Sequence, residues 1–221
     1  MKLKLTILII LTCFVTVAAE NNYKVGDHEL LMMPTAYTMP KGASYFTDYE
    51  ILLLNYTHAI TGRTHVGLFS LFPIIPQFVE TFTFGLKQNY LRTNSLQLAA
   101  WIAYANRIEG VAFGNVMSIN ANRLRFHVNV GNGLTADSDG SLIMYNIGVE
   151  HRASDKLSFL AEYSNFSTLE ETKTDGFLSA GFRLSWEKIS WDLAGVKMLG
   201  VETGNLLYLP YSKVTFYFDG S

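Results

Sequence analysis

The segment Leu124–Val130 has the sequence LRFHVNV, in which every second residue is apolar and the residues between are arginine, histidine and asparagine. Side chains of a β-strand point alternately to opposite faces, so this period of two predicts a strand with one apolar and one polar face. The same alternation recurs in Ile143–Val149 (IMYNIGV), Leu178–Trp186 (LSAGFRLSW) and Val214–Phe218 (VTFYF). The chain is therefore predicted to consist mainly of amphipathic strands.

About twelve such strands can be drawn, with ten as the fallback because Pro34 and Pro210 interrupt the first and the last. Most are close to the ~9–11 residues that a tilted strand needs to cross a membrane. The expected strands cover residues 28–35, 45–59, 64–72, 78–88, 95–108, 110–119, 123–133, 142–152, 156–166, 176–186, 189–199 and 207–218.

The connections between these strands carry a second signal. Short polar turns are expected at 61–64, 92–95, 120–123, 154–156 and 187–188. They alternate with mostly longer connections at 36–44, 73–77, 131–141, 167–175 and 200–206. The short connection Arg107–Gly110 breaks this alternation. Short turns at one end and longer loops at the other are typical of outer-membrane barrels.

The first nineteen residues have the layout of a secretory signal peptide. Lys2 and Lys4 precede the uncharged apolar run Leu5–Val17, and Ala18 and Ala19 supply small residues for cleavage. The run is shorter than the ~20 residues of a spanning helix. We therefore predict a leader at 1–19 and a single domain at 20–221. The one cysteine of the chain, Cys13, lies within this leader.

Composition limits the function classes. The 221 residues are 49% apolar, 14% aromatic and only 16% charged, with a net charge of −2. Such a chain lacks the basic footprint of a nucleic-acid-binding protein. An all-β, up-and-down antiparallel transmembrane β-barrel would turn the apolar faces to lipid and bring aromatic residues to the interfaces. The aromatic residues expected there are Tyr45, Phe84, Trp101, Tyr163, Trp186, Trp191 and Phe218.

The opposite faces carry charge. In a narrow barrel these side chains would meet across the interior, where ions are costly unless carboxylates and cations pair. Such a set could line a pore or seat a ligand, and it could also be a structural network that fills the lumen. Lys87 and Arg107 belong to these faces. The predicted lumen-facing network consists of Arg125, His127, Glu150, Arg152, Glu162, Arg183 and Asp192.

The chain resembles small bacterial outer-membrane β-barrel proteins over its whole mature length. Pro34-Thr35-Ala36 followed by Pro40-Lys41-Gly42 is similar to the start of uncharacterised barrels from Bacteroidota-type bacteria, and Leu209–Phe218 is similar to their closing strand. The resemblance implies a Gram-negative outer membrane and assembly by the barrel-assembly machinery. Many such barrels end on an aromatic residue, whereas here Asp219, Gly220 and Ser221 follow Phe218.

No hydrolase, metalloprotease or phosphate-loop motif is present, so we expect no catalytic residue, metal or cofactor. Ser118 and His127 could face each other near the 120–123 turn, but no complete hydrolytic site can be assembled.

Three functions remain open. The first is a structural or surface-interaction barrel with the loops 131–141 and 167–175 outside. The second is a narrow pore or transporter for a small solute with a charged lumen. The third is a soluble secreted β-barrel that carries a hydrophobic ligand, in which the apolar faces would point inward. Outer-membrane lipid is the expected partner in the first two.

Overall fold

The computed structural model describes residues 23–73, 78–135, 141–168, 176–200 and 208–220. The predicted leader therefore lies outside the described residues. Twelve antiparallel strands form a closed barrel, in which each strand pairs with the next and β1 pairs with β12. This confirms the predicted fold class and strand number. The strands are β1 (Ser44–Tyr49), β2 (Leu53–Thr61), β3 (Thr64–Leu71), β4 (Thr83–Arg92), β5 (Leu96–Ala105), β6 (Gly110–Ala121), β7 (Leu124–Leu134), β8 (Ser141–Arg152), β9 (Leu157–Thr168), β10 (Phe177–Ser185), β11 (Ile189–Met198) and β12 (Leu209–Phe218).

Three of the expected strands differ from the structure, although the total is right. The expected strand 78–88 opens with a 3-10 helix at Phe78–Thr81, so β4 begins only at Thr83. The range 45–59 is not one strand but two, because the chain reverses after Tyr49. Glu50 and Ile51 adopt positive φ angles of 56° and 63°, and the amide of Ile51 is held by the Asp48 carboxylate at 2.8 Å. The polar residues Asp48 and Glu50, which flank this point, are the feature of the sequence that indicates a turn here.

The range 28–35 is not a wall strand at all. It makes only an isolated bridge between Glu29 and Pro34 and lies within the barrel. Pro34 has no N–H to donate to a ladder, which is the weakness that the sequence already showed. We call residues 23–43 the inner segment. The expected loop at 36–44 is the second half of this segment and the first residue of β1.

The barrel has two different ends. Short turns join β2 to β3, β4 to β5, β6 to β7, β8 to β9 and β10 to β11, and we call this the short-turn end. The other end, the loop end, carries the connections around 72–82, 135–140, 169–176 and 199–208. Residues 136–140 and 169–175 lie outside the described residues. Two short turns, 50–52 and 106–109, also belong to the loop end, so the sorting of loop lengths is not complete. A one-turn 3-10 helix, Phe78–Thr81, precedes β4.

The faces of the wall follow the predicted alternation. In β7, Arg125, His127 and Asn129 are buried inside, whereas Phe126 and Val130 are 44% and 55% exposed outside. Large apolar side chains are exposed on the outer surface of most strands. The polarity is therefore the reverse of a soluble barrel, whose apolar face forms the core.

Two of the seven aromatic residues expected on the outer face point inward instead. Tyr45 is buried against His28, with ring centroids 3.7 Å apart, and the Trp101 indole N–H donates to Asn129 at 2.7 Å. Both lie at inward positions of their strands, where the inner segment and cross-strand polar groups give them partners. Arg107, expected inside, is exposed in the 106–109 turn. Four of the others are exposed outside, namely Phe84, Trp186, Trp191 and Phe218.

Among the described residues, no helix is long and apolar enough to cross a membrane.

Candidate functional site

The inner segment enters the lumen from the short-turn end and folds back on itself. At its start the Lys24 ammonium lies 3.0 Å from Asp155, in the turn between β8 and β9. Its tip, Leu30–Met33, is closed by a hydrogen bond from the Leu30 amide to the Met33 carbonyl at 2.9 Å. The tip packs against Tyr49 and Tyr211, which lie near the loop end of β1 and β12. The segment therefore runs most of the length of the barrel and returns.

The backbone of the inner segment makes almost no ladder, so its polar groups need partners from the wall. Arg183 supplies three of them. Its guanidinium donates to the carbonyls of Gly26 at 2.6 Å, Glu29 at 3.0 Å and Leu30 at 2.8 Å. The same side chain forms a two-point pair with Asp192, with both N···O distances 2.7 Å. One fully buried arginine thus joins the wall to the outgoing half of the segment.

Two lysines act in the same way on other carbonyls. The Lys213 ammonium donates to Leu30 and, at 3.0 Å, to Leu31. The Lys87 ammonium donates to three carbonyls, those of His28, Thr35 and Tyr37, at 3.3, 3.2 and 2.9 Å. Lys87 therefore ties the outgoing and returning halves of the segment together.

Glu162 binds the backbone amides of the tip, whereas the arginine and the lysines bind its carbonyls. One carboxylate oxygen accepts the amides of Leu31, Met32 and Met33 at 3.2, 3.1 and 3.1 Å. The other accepts the Ser164 hydroxyl at 3.1 Å. Three converging N–H dipoles stabilise a negative charge much as a helix N-terminus does.

The remaining charges form two clusters. In the first, Asp27 lies 3.0 Å from Arg125 and 2.5 Å from Arg152, and Glu150 lies 3.5 and 3.1 Å from the same two arginines. In the second, the Lys213 ammonium lies between two carboxylates, 3.0 Å from that of Asp192 and 3.2 Å from that of Glu29. Tyr49 also donates to Glu29 at 2.8 Å.

The structure places all seven residues of the predicted lumen-facing set on the inner face. Six of them contact the inner segment or the two clusters through polar groups, whereas His127 contacts the segment through the Tyr37 ring and lies beside Ser118. Sequence reasoning missed Glu29, which fell in the range 28–35 interpreted as a wall strand, and Asp27, which directly precedes that range. It also missed Lys213, although the alternation of β12 with Val214 outward already placed it inside.

The Ser118–His127 pair has a close geometry, with the hydroxyl 2.8 Å from Nδ1. Both side chains are nevertheless almost completely buried. The Ala36 amide of the inner segment donates to the same hydroxyl at 2.9 Å, and Tyr37 packs its ring edge against the imidazole. A substrate has no approach to this serine while the segment is in place. Among the described residues, no group of three or more His, Cys, Asp or Glu is placed to hold a metal ion.

A cavity of about 280 Å³ remains beside the inner segment. It runs from Asn55 and Thr83, near the loop end of β2 and β4, to His65 near the short-turn end of β3. Lys87, Trp101 and Glu29 also line it. It is a space within the described lumen that lies next to the Lys87 ammonium.

The numbers of positive and negative side chains in the described lumen are not equal. Five carboxylates face six cations, which leaves one positive charge in excess. Lys87 and Arg92 form no ion pair with a described carboxylate, and carbonyl or hydroxyl oxygens surround them instead. The six cations are Lys87, Arg92, Arg125, Arg152, Arg183 and Lys213, and the five carboxylates are Asp27, Glu29, Glu150, Glu162 and Asp192.

His28 is a titratable group of the inner segment whose pKa is shifted by burial. Burial lowers the pKa of its imidazole to about 4, although the Glu29 carboxylate 3.2 Å away opposes the shift. The ring is held neutral between Tyr45, which stacks on it, and the Tyr23 hydroxyl at 2.9 Å.

Comparison with known proteins returns distant barrels. No family model and no curated protein matches the chain. Among solved structures, it is similar to a variant of the Rhodopseudomonas blastica porin, with 14% identity, a TM-score of 0.46 and coverage of 75% of this chain and 55% of that one. Salmonella typhi OmpF in complex with daunomycin matches at 9% identity and a TM-score of 0.43, covering 75% and 61%. Pseudomonas aeruginosa OccK11 matches at 8% identity and 0.39, covering 79% and 63%. The chain thus spans little more than half the length of the porin it matches first.

Proposed function

We propose that this chain is an integral outer-membrane barrel with a structural or surface-interaction role, whose lumen is closed by its own inner segment. The observation that carries the proposal is the binding of residues 23–43 to the wall by buried charged side chains. Outer-membrane lipid is the partner of the outer face, and the barrel-assembly machinery is the partner that inserts the chain.

The proposed membrane location is supported by the distribution of polarity. Apolar side chains cover the outside and ionised groups are buried inside, which suits a solvent without hydrogen-bonding capacity. A closed barrel also leaves no unpaired strand edge. A soluble carrier of a hydrophobic ligand would need the reverse arrangement, with an apolar lumen.

The proposed closure is supported by the number and kind of contacts on the inner segment. Arg183, Lys213 and Lys87 bind its carbonyls and Glu162 binds its amides. Hydrogen bonds to charged groups contribute about 1.5–3 kcal/mol each, so these four side chains together favour the docked state of the segment.

Conductance in planar bilayers tests this function. The refolded protein should show a mobility shift on SDS gels with boiling, and should then give no steady open channel in the bilayer. The double variant Arg183→Met with Lys213→Met, which loosens the segment, should show openings. Frequent large openings of the parent protein would contradict closure, and full solubility without detergent would contradict the membrane location.

A second candidate function, a site for a small solute, is favoured by the cavity beside Lys87. The excess positive charge of the lumen favours an anion, and 280 Å³ is room for about nine water volumes of ~30 Å³. Benzoate is a suitable probe because its ring can lie against Trp101 and its carboxylate can pair with Lys87.

Tryptophan fluorescence tests this second function. In a Trp186→Phe, Trp191→Phe background, Trp101 is the one remaining tryptophan. Benzoate should change its emission in a saturable way, and benzyl alcohol should not. Lys87→Met should abolish the effect, whereas Lys188→Met, in an exposed turn, should leave it unchanged. An emission that does not respond to benzoate would remove this candidate.

A further inference from the structure

Asn115 is an exposed amide on the apolar outer face of β6. It lies between the outward side chains Phe113 and Met117, and its cross-strand neighbours are Ala100 and Val130. Its oxygen accepts the Tyr90 hydroxyl at 3.3 Å. No described residue accepts a hydrogen bond from its NH₂ group.

The depth of Asn115 can be worked out from the strand. It lies six residues from Ala121, where β6 reaches the short-turn end. At ~3.4 Å per residue this is about 20 Å along the strand. A tilt of roughly 35–45° converts this distance to about 15 Å of depth, near the middle of an apolar band ~25 Å tall.

An amide at this depth has no acceptor in the surrounding lipid. Hydrocarbon cannot replace the missing hydrogen bond, so a free N–H there is costly. A second copy of the same chain supplies what is missing. A contact across a twofold axis brings identical residues together, and a carboxamide carries both a donor and an acceptor, so two of them satisfy each other. Ala100 beside it is small enough to let the two walls approach.

We propose that the β5–β6 face, centred on Asn115, is the contact surface of a homodimer within the membrane. Each Asn115 amide donates to the oxygen of its copy while Tyr90 of the same chain holds the other side of that oxygen. The proposal rests on the membrane location proposed above.

Single-cysteine cross-linking in the membrane tests the dimer. The chain has one cysteine, so Cys13→Ser provides a cysteine-free background wherever the leader is cut. Ala100→Cys, an outward neighbour that leaves the Asn115 amide in place, should form a covalent dimer in this background with a short bis-maleimide in native membranes. The matched control is Val214→Cys, an outward position on β12, six strands away around the barrel. It should cross-link several-fold less.

A second variant separates folding from association. Asn115→Leu should keep the mobility shift of a folded barrel and should be monomeric in lipid nanodiscs, where the parent is dimeric. Equal cross-linking of the two cysteine variants, or a parent that is monomeric in nanodiscs, would overturn the dimer. A protein that needs no detergent would instead overturn the membrane location, so the two failures are distinguishable.

Discussion

Replacement of Arg183 by methionine is the sharpest perturbation of the inner segment. The substitution keeps a long unbranched side chain of similar reach and removes every hydrogen bond of the guanidinium. Three of those bonds end on carbonyls of Gly26, Glu29 and Leu30, and two end on Asp192. Asp192 keeps the Lys213 ammonium at 3.0 Å, so it does not become an isolated buried charge.

The expected magnitude follows from the three carbonyl bonds. A hydrogen bond to a charged group contributes about 1.5–3 kcal/mol, so their loss should weaken docking of the segment by at least about 4 kcal/mol. Because about 1.4 kcal/mol is a factor of ten in an equilibrium constant, the open state of the segment should become about a thousandfold more populated. The wall itself should be less affected, since its ladder bonds are unchanged.

Amide hydrogen exchange measures this opening directly. The amides of Leu31, Met32 and Met33 are protected by Glu162 only while the tip is docked, so their exchange should speed up by about the same factor. Amides in the centre of β7 should keep their protection. Arg183→Lys, which keeps the charge but not the planar fork, should give a smaller acceleration.

The control is Arg107→Met, in an exposed turn at the loop end, which should leave tip exchange at the parent rate. Tip exchange that rises less than tenfold in a folded Arg183→Met barrel would refute the reasoning. It would mean that Lys213, Lys87 and Glu162 hold the segment without help from the arginine.

Three further outcomes follow from the same contacts. Val128→Arg should lower the free energy of unfolding in lipid by about 2–4 kcal/mol, because Val128 faces outward in mid-strand. His151→Arg, at the short-turn end, should lower it by about 0–1 kcal/mol. Equal losses in a denaturant titration would contradict the outer-face assignment. Gly148→Ala should lower the free energy of unfolding by about 1–3 kcal/mol, because its new methyl would lie 2.2 Å from Leu30 Cδ1. In the double variant, Leu30→Ala should remove this clash and restore part of the loss. Additive losses in the double variant would exclude the clash. The pKa of His28 falls to about 4 when the segment docks, so between pH 6.5 and 4 the undocked segment binds a proton that the docked one does not. Protease resistance of the inner segment should therefore fall as the pH decreases from 6.5 towards 4. His28→Gln should flatten this dependence, and a flat profile for the parent would contradict it.

The wall could be predicted from the sequence because its determinants are local. Lipid-facing and lumen-facing residues alternate along every strand, so the sequence LRFHVNV already shows that Arg125 faces the lumen and Phe126 faces outward. The lumen-facing residues follow from the same rule. Their partners do not, since a period of two places Arg183 on the inner face but does not show that its guanidinium binds the carbonyl of Gly26.

The inner segment was missed because its structure is fixed by residues far away in the chain. Leu30 and Leu31 are ordered by Glu162, Arg183 and Lys213, which lie more than 120 positions later. Taken alone, the apolar run around the tip predicts a buried strand as readily as a buried turn. Tyr45 and Trp101 were misplaced for a related reason, because an aromatic side chain suits both a lipid interface and a contact with the segment.

The strand number itself gives a physical reason for the segment. Interior width grows with the number of strands: about eight strands leave a lumen that side chains can fill, and sixteen or more leave an aqueous channel. Twelve strands lie between these limits, so we expect the wall's own side chains to leave part of the middle unfilled. Here Arg183 and Glu162 have partners beyond their wall neighbours Asp192 and Ser164 because residues 23–43 occupy the centre. Without the segment the same charges would face water and the barrel would be a narrow charged pore. Under the proposed closure, the structural and pore interpretations of the chain would be two states of one lumen, separated by the free energy of docking this segment.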